Sequence, residues 1–234
     1  MTGVIITPHH REPLGVLHRC IDSVRAQTVP VHHVLVSDGP EWQHTGFEQY
    51  RYITHLATAA RANDWGNTPR ALGLKCFMDA EFVAFLDADN FYDPDHVSVC
   101  LRTAEQNPGC DYVVARERYV RLANDEKTVP SHAMHEPQDE HVDFNEFFLL
   151  PQCYEIALNV LTNVGTGDAK WWADTAGVDL HATIKRFKLC APSYIGDRCL
   201  YHALKKAGRR PAFTNRDTLT YVVSSLHPSE KHPA

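Results

Sequence analysis

Two aspartates two positions apart, Asp87 and Asp89, follow directly on the apolar run Phe82-Val83-Ala84-Phe85-Leu86. Strand alternation puts both side chains on one side, just past the carboxyl end of a buried strand, where open α/β sheets bind ligands. Hard oxygen donors in this arrangement suit Mg2+ or Mn2+, which takes one or two carboxylates and fills its shell with water and phosphate oxygens. A diphosphate would then be bridged to the protein through the ion. An Asp-rich turn with no ligand offers the same residues, so the pair has to be weighed with its surroundings. The adjacent tryptophans Trp171 and Trp172 suit either a sugar face or a helix packed into the core. His132, His135 and His141 could hold a metal, but they fall in a polar stretch with no rigid element expected, and the chain has no His-Glu-x-x-His.

The elements that must position these groups alternate. Val4 to Thr7 reads as a buried strand, and residues 13 to 28 carry Leu14, Leu17, Ile21 and Val24 at helical spacing behind Pro13. Residues 33–37 read as a second strand stopped by Asp38-Gly39-Pro40, and 50–56 as a third. A loop over 60–69, a helix over 70–80, the strand 81–86 and a helix opened by Pro94 follow, then a strand over 111–115. Strands alternating with helices at this interval predict an α/β protein with a mostly parallel central sheet, covered on both faces. Beyond 116 a pair of extended segments around Asn124-Asp125 and a polar loop are expected. Helices near 151–161, 167–176 and 196–207 come next, with a last strand near 218–223. The change near 116 divides the chain into a nucleotide-binding half, 1–115, and an acceptor-binding half, 116–234, packed as one domain.

Bulk composition excludes several classes. Of 234 residues, 44% are hydrophobic and 22% charged, as in ordinary globular proteins. A net charge of -6 gives no basic face for nucleic acid. No apolar run is long enough for a spanning helix, and no basic stretch precedes the first strand as a signal peptide would require. Seven scattered cysteines, none in Cys-x-x-Cys, fit reduced thiols. A cytoplasmic chain is expected, with work at the inner face of a membrane left open; the oligomeric state is not legible.

The segment from Phe82 through Asp87-Ala88-Asp89 to Pro94 resembles family 2 glycosyltransferases of the GT-A fold, whose pattern is a strand, an Asp-x-Asp and a helix opened by Pro. The opening is similar too: a first strand, a helix carrying Leu17, Ser23, Val24 and Gln27, and a second strand ending in Asp38-Gly39. Asn67 to Gly73 is similar to the family's Ala-Arg-Asn-x-Gly stretch in Arg70 and the final Gly. Pro8-His9-His10 stands where Thr-Tyr-Asn is usual, and Ser37-Asp38-Gly39 where Asp-Asp-Gly is usual.

The resemblance implies a GT-A type nucleotide-binding α/β/α sandwich. It also implies an inverting transfer of sugar from a nucleotide-diphosphate donor, UDP-sugar foremost, to a carbohydrate, lipid-linked or other hydroxyl acceptor, as in bacterial surface-polysaccharide assembly. Residue by residue, it places Asp38 at the base and Pro8 and His9 in the base pocket. Arg70 falls near the diphosphate or sugar, Asp87 at the ribose or a metal-bound water, and Asp89 on Mn2+ or Mg2+. Asp197 fits the family's catalytic base, an Asp opening a helix, with Gly196 in place of the usual Glu; a plain helix N-cap is the alternative. Asp168 and Asp174 are further candidates for the base, and His227 for a metal ligand. Two other readings stand beside this one. A sugar nucleotidyltransferase would need a Gly-rich phosphate loop, where Pro8 to Pro13 holds no glycine. A degenerate transferase-like domain would bind nucleotide or a partner without turnover.

Overall fold

A computed structural model describes residues 3–40, 53–121, 142–187 and 191–223. Among these residues eight strands form one sheet: β1 (Gly3–His9), β2 (Val31–Ser37), β3 (Ile53–Ala57), β4 (Val83–Phe85), β5 (Phe91–Tyr92), β6 (Tyr112–Arg121), β7 (Phe147–Leu149) and β8 (Pro211–Val223). Their order is β3-β2-β1-β4-β7-β6-β8-β5. β3, β2, β1 and β4 run parallel. β7 is antiparallel to both its neighbours, β8 follows β6, and β5 opposes β8. Six of the eight strands therefore share one direction, as the βα alternation predicts.

Among the described residues seven helices accompany the sheet: α1 (Leu14–Arg25), α2 (Asn67–Cys76), α3 (His96–Gln106), α4 (Tyr154–Asn163), α5 (Ala169–Ala176), α6 (Leu180–Phe187) and α7 (Gly196–Lys206). On one face Ile6, Val36, Phe85, Phe147 and Leu149 pack with Leu74 of α2, Ala157 of α4 and Leu200 of α7. On the other, Ile5, Ala84, Val113 and Phe148 meet Cys20 of α1 and Val97 and Cys100 of α3, with the Phe82 and Phe148 rings stacked at 4.3 Å. Strand residues alternate between these two clusters, so both faces are apolar and the central strands read as continuous hydrophobic runs.

Four features depart from the sequence expectation. β7 slots between β4 and β6, although its three residues lie in an apolar run with no alternation to mark a strand. β5 is two residues long, below the reach of periodicity. α6 was not anticipated. β8 begins at Pro211, seven residues before the expected start, because it pairs with β6 along both lengths across a bulge near Arg116; Pro is tolerated as a first strand residue. The expected division near 116 falls inside β6, so the two halves share one sheet. The segment around Asn124-Asp125, the loop with His132, His135 and His141, and His227 lie outside the described residues.

Two histidines are sealed into this core. His33 of β2 is fully buried, its Nε2 2.9 Å from Thr7 Oγ1, and His96 of α3 lies 2.9 Å from Thr218 Oγ1 through Nδ1. Desolvation, opposed at His96 by its Thr218 contact, pushes each down to about 3 from 6.5. The folded chain thus refuses two protons that the unfolded chain accepts. Stability is present above pH 6.5 and is lost as pH falls from there toward 3. Two such protons set a slope of about 2.7 kcal/mol per pH unit in the middle of that window. Urea unfolding of a His33→Gln/His96→Asn variant, whose amides keep a polar atom toward each threonine, should show that slope markedly reduced between pH 6 and 4. An unchanged slope would place the acid sensitivity elsewhere.

Candidate functional site

The turn after β4 carries the paired aspartates, and the two are held differently. Asp87 is gripped on three sides. Its backbone N–H donates to Asn145 Oδ1 at 2.5 Å, and Asn145 Nδ2 donates to Asp87 Oδ2 at 3.0 Å. Arg70 Nη2 forms an ion pair with Asp87 Oδ1. Arg70 itself is 3% exposed; Nη1 donates to Trp65 O at 2.9 Å and the guanidinium lies 4.4 Å over the Phe144 ring. Asn145 is fully buried, in a short 3-10 turn (Phe144–Glu146) closed by a capping box. Asp143 Oδ1 accepts the Asn145 N–H, and Glu146 Oε2 accepts the Asp143 N–H. Tyr92 OH donates to Phe85 O at 2.6 Å, with Asn145 O 3.2 Å away, tying the same turn to β5.

Asp89 faces outward. Arg19 of α1 donates from Nη2 to its backbone oxygen at 2.8 Å, but no other described residue hydrogen-bonds its carboxylate, which is met by its own N–H. The residue as a whole is open to solvent. Enough protein crowds round the carboxylate, however, for desolvation to lead the causes that push it up to about 7. The charge of Asp87 comes next, and that of Glu12 adds a smaller push. Glu12, whose Oε2 accepts the His10 N–H at 2.5 Å, is also raised, by burial first and by Asp87 last. Three carboxylates within electrostatic reach of one another, one of them paired with Arg70, make a negative mouth at the carboxyl ends of β1 and β4.

The residues expected at the base pocket lie at the ends of β1 and β2. Asp38 turns its carboxylate to the chain after β3, accepting the N–H groups of Ala62 (2.7 Å) and Asn63 (2.9 Å). Pro8 packs beside Gly66 and faces the start of α2. His9 is buried, its Nε2 3.1 Å from His55 Nε2 across stacked rings, and His10 Nδ1 is 3.1 Å from Asp38 O. Arg70, expected near a diphosphate, turns its Nη atoms to Asp87 and Trp65.

Asp197 sits half-buried in the first turn of α7, with Oδ1 accepting the Arg198 N–H at 2.6 Å. Its neighbour Gly196 has a physical reason to lack a side chain. A Cβ there would strike Asn67 Oδ1 and come within 3.1 Å of Phe144 Cζ. Asn67, the first residue of α2, also donates to Ser193 O at 2.9 Å. The starts of α2 and α7 are thereby pressed together over the phenylalanine that underlies Arg70. The other carboxylates weighed for the base serve helix ends. Asp168 caps α5, accepting the N–H groups of Lys170 and Trp171, and exposed Asp174 pairs with Lys170. Trp172 is 1% exposed and Trp171 packs on the same core, rings perpendicular at 6.0 Å. No group of three or more His, Cys, Asp or Glu arranged to hold a metal occurs among the described residues.

Comparison with known proteins decides the family. The model of glycosyl transferase family 2 matches residues 4–157. The chain belongs to glycosyl transferase family 2. The succinoglycan biosynthesis protein ExoW of Rhizobium meliloti (strain 1021) is 31% identical over 106 residues, 40% of this chain and 31% of ExoW. Among solved structures, S. aureus TarS 1–349 in complex with UDP-GlcNAc aligns over 100% of this chain and 62% of its own, at TM-score 0.63 and 13% identity. TarS 1–349 in complex with UDP aligns over 96% and 61%, at 0.60 and 14%. This chain thus spans about three fifths of the TarS chains, and its match to ExoW about a third of that protein. The likeness to these structures supports the GT-A fold. The family match takes in Pro8, His9, Asp38, Arg70, Asp87, Asp89 and Asn145 but stops before Asp197.

Sequence reasoning missed Asn145, Arg19 and Glu12. Asn145 is 58 residues from Asp87, and no spacing rule links them; the one legible signal was Asp143-x-x-Glu146, a capping-box spacing that marks a fixed turn. Truncating Asn145 leaves a buried N–H unpaired and removes a donor from Asp87. Asn145→Ala should therefore lower stability by about 2–3 kcal/mol in urea unfolding, and a loss below about 0.5 kcal/mol would show that Asp87 is held without it.

Proposed function

We propose that this family 2 chain transfers a sugar from a nucleotide-diphosphate donor, a UDP-sugar foremost, to an acceptor hydroxyl with inversion. The observation that carries this is the division of labour in the aspartate pair. Asp87 is locked by Arg70 and Asn145, which leaves Asp89 presenting a carboxylate at the mouth of the strand ends. The UDP and UDP-GlcNAc bound by TarS, which shares the fold, support the donor class.

The residues present fit Mn2+ or Mg2+. Such an ion needs only one or two protein carboxylates beside phosphate oxygens, and the crowded negative charge at Asp89 is what a cation would relieve. Asp89 would hold it, with Asp87 behind; His227, implied by resemblance, remains a further proposed ligand. When bound, the ion supplies positive charge against the leaving diphosphate. Pro8, His9 and Asp38 would line the base pocket. Asp197 would take the proton from the acceptor hydroxyl as that oxygen bonds to the anomeric carbon and the carbon–phosphate oxygen bond breaks, its electron pair leaving with the nucleoside diphosphate. The later half, from 116 onward, would receive a carbohydrate or lipid-linked acceptor. ExoW's part in succinoglycan biosynthesis suits polysaccharide assembly as the setting. No described helix is long and apolar enough to cross a membrane.

Calorimetric titration of UDP, GDP and TDP with and without Mn2+ tests the donor site. Mn2+-dependent binding of UDP, weakened by about tenfold or more in Asp89→Ala, is the expected result. Failure of all three to bind with Mn2+ present would sink the assignment.

A further inference from the structure

The connection between β3 and α2 is built around an unusual backbone. Asn63 and Trp65 both adopt left-handed conformations, φ 54° and 62°, followed by Gly66 at 80°. For non-glycine residues this is a strained choice that persists only where the surroundings enforce it. Here they do. Asp38 takes the N–H groups of Ala62 and Asn63, and Asp64 Oδ2 takes the N–H and hydroxyl of Thr68 at 2.9 and 2.6 Å. Asn67 Nδ2 donates to Asp64 O at 2.6 Å, and buried Arg70 donates to Trp65 O.

What this loop holds up is Trp65, a residue 48% exposed. Its position is set on two sides by the site. Its carbonyl is bound by the guanidinium that grips Asp87, and the next residue, Gly66, lies against Pro8, where a Cβ would come to 3.0 Å. The adjacent Trp171 and Trp172 are packed into the core. Among the described tryptophans it is therefore Trp65 that is exposed, on a backbone set beside Arg70 and Pro8.

We propose that Trp65 is a stacking platform for the pyranose ring of the donor, an inference that rests on the donor reading above. The C–H face of a pyranose and an indole attract through dispersion and weak C–H···π contacts. A backbone already fixed lowers the ordering cost of making them. The platform adds affinity for the sugar, not for the nucleoside diphosphate, and so sets donor selectivity by the ring's exposed face.

The test uses Trp65→Gly, which removes the ring while accepting φ 62° without strain, and Trp65→Phe, which keeps a smaller face. Dissociation constants for UDP, UDP-glucose and UDP-N-acetylglucosamine are measured with Mn2+ on the wild type and both variants. The platform predicts that Trp65→Gly weakens the preferred sugar nucleotide about five- to tenfold with UDP within about twofold, and that Trp65→Phe recovers most of the loss. Equal weakening of UDP and both sugar nucleotides would overturn it, since the indole would then serve only the loop's fold. No change in any constant would overturn it as well. A wild type that binds none of the three would instead bring down the donor reading, and the platform with it.

Discussion

A guanidinium with 3% of its side chain exposed must find a negative partner, and Arg70 finds Asp87. Leaving such a charge buried alone costs several kcal/mol, more than most single contacts supply. The requirement fixes more than two residues. It draws the start of α2 against the turn after β4, sets Trp65 O as a second acceptor, and makes the Phe144 ring the floor on which the guanidinium lies. The first aspartate of the pair is thereby immobilised, and Asp89 is left to face outward from a fixed turn.

The same network joins the first strands of the sheet to the later half of the chain. Asn145 belongs to the segment leading into β7 and holds Asp87 by both backbone and side chain. Phe144 beside it also meets the start of α7, where Gly196 leaves room for Asn67. The helix that carries Asp197 therefore rests on the platform that supports Arg70. At Gly196 a side chain would have no room, because Asn67 occupies the space its Cβ would need.

Much of the first half of the chain was legible because its signals are local. The runs that became β1, β2 and β4, the spacing of Leu17, Ile21 and Val24 in α1, and the aspartates after β4 are all properties of short windows. What was not legible depends on partners far apart in the chain. Nothing near Arg70 in sequence announces Asp87 as its partner, so its burial and its ion pair were not legible. Asn145 looked like any residue of an apolar-flanked turn. β7 has three residues and β5 two, too few for alternation to register, and each exists because a longer neighbour offers an edge. The N–H groups held by Asp168 and the pairing of Asp174 with Lys170 likewise show only in the structure.

The clamp is tested most directly by a double-mutant cycle on folding stability with Arg70→Met, Asp87→Asn and the pair, by urea unfolding. If the buried guanidinium depends on Asp87, each single change is strongly destabilising and the double variant loses less than their sum, with a coupling of at least about 1 kcal/mol even though Asp87 stays 30% exposed. Single losses that add to within about 0.3 kcal/mol would contradict it, and would mean that Arg70 and Asp87 are positioned independently.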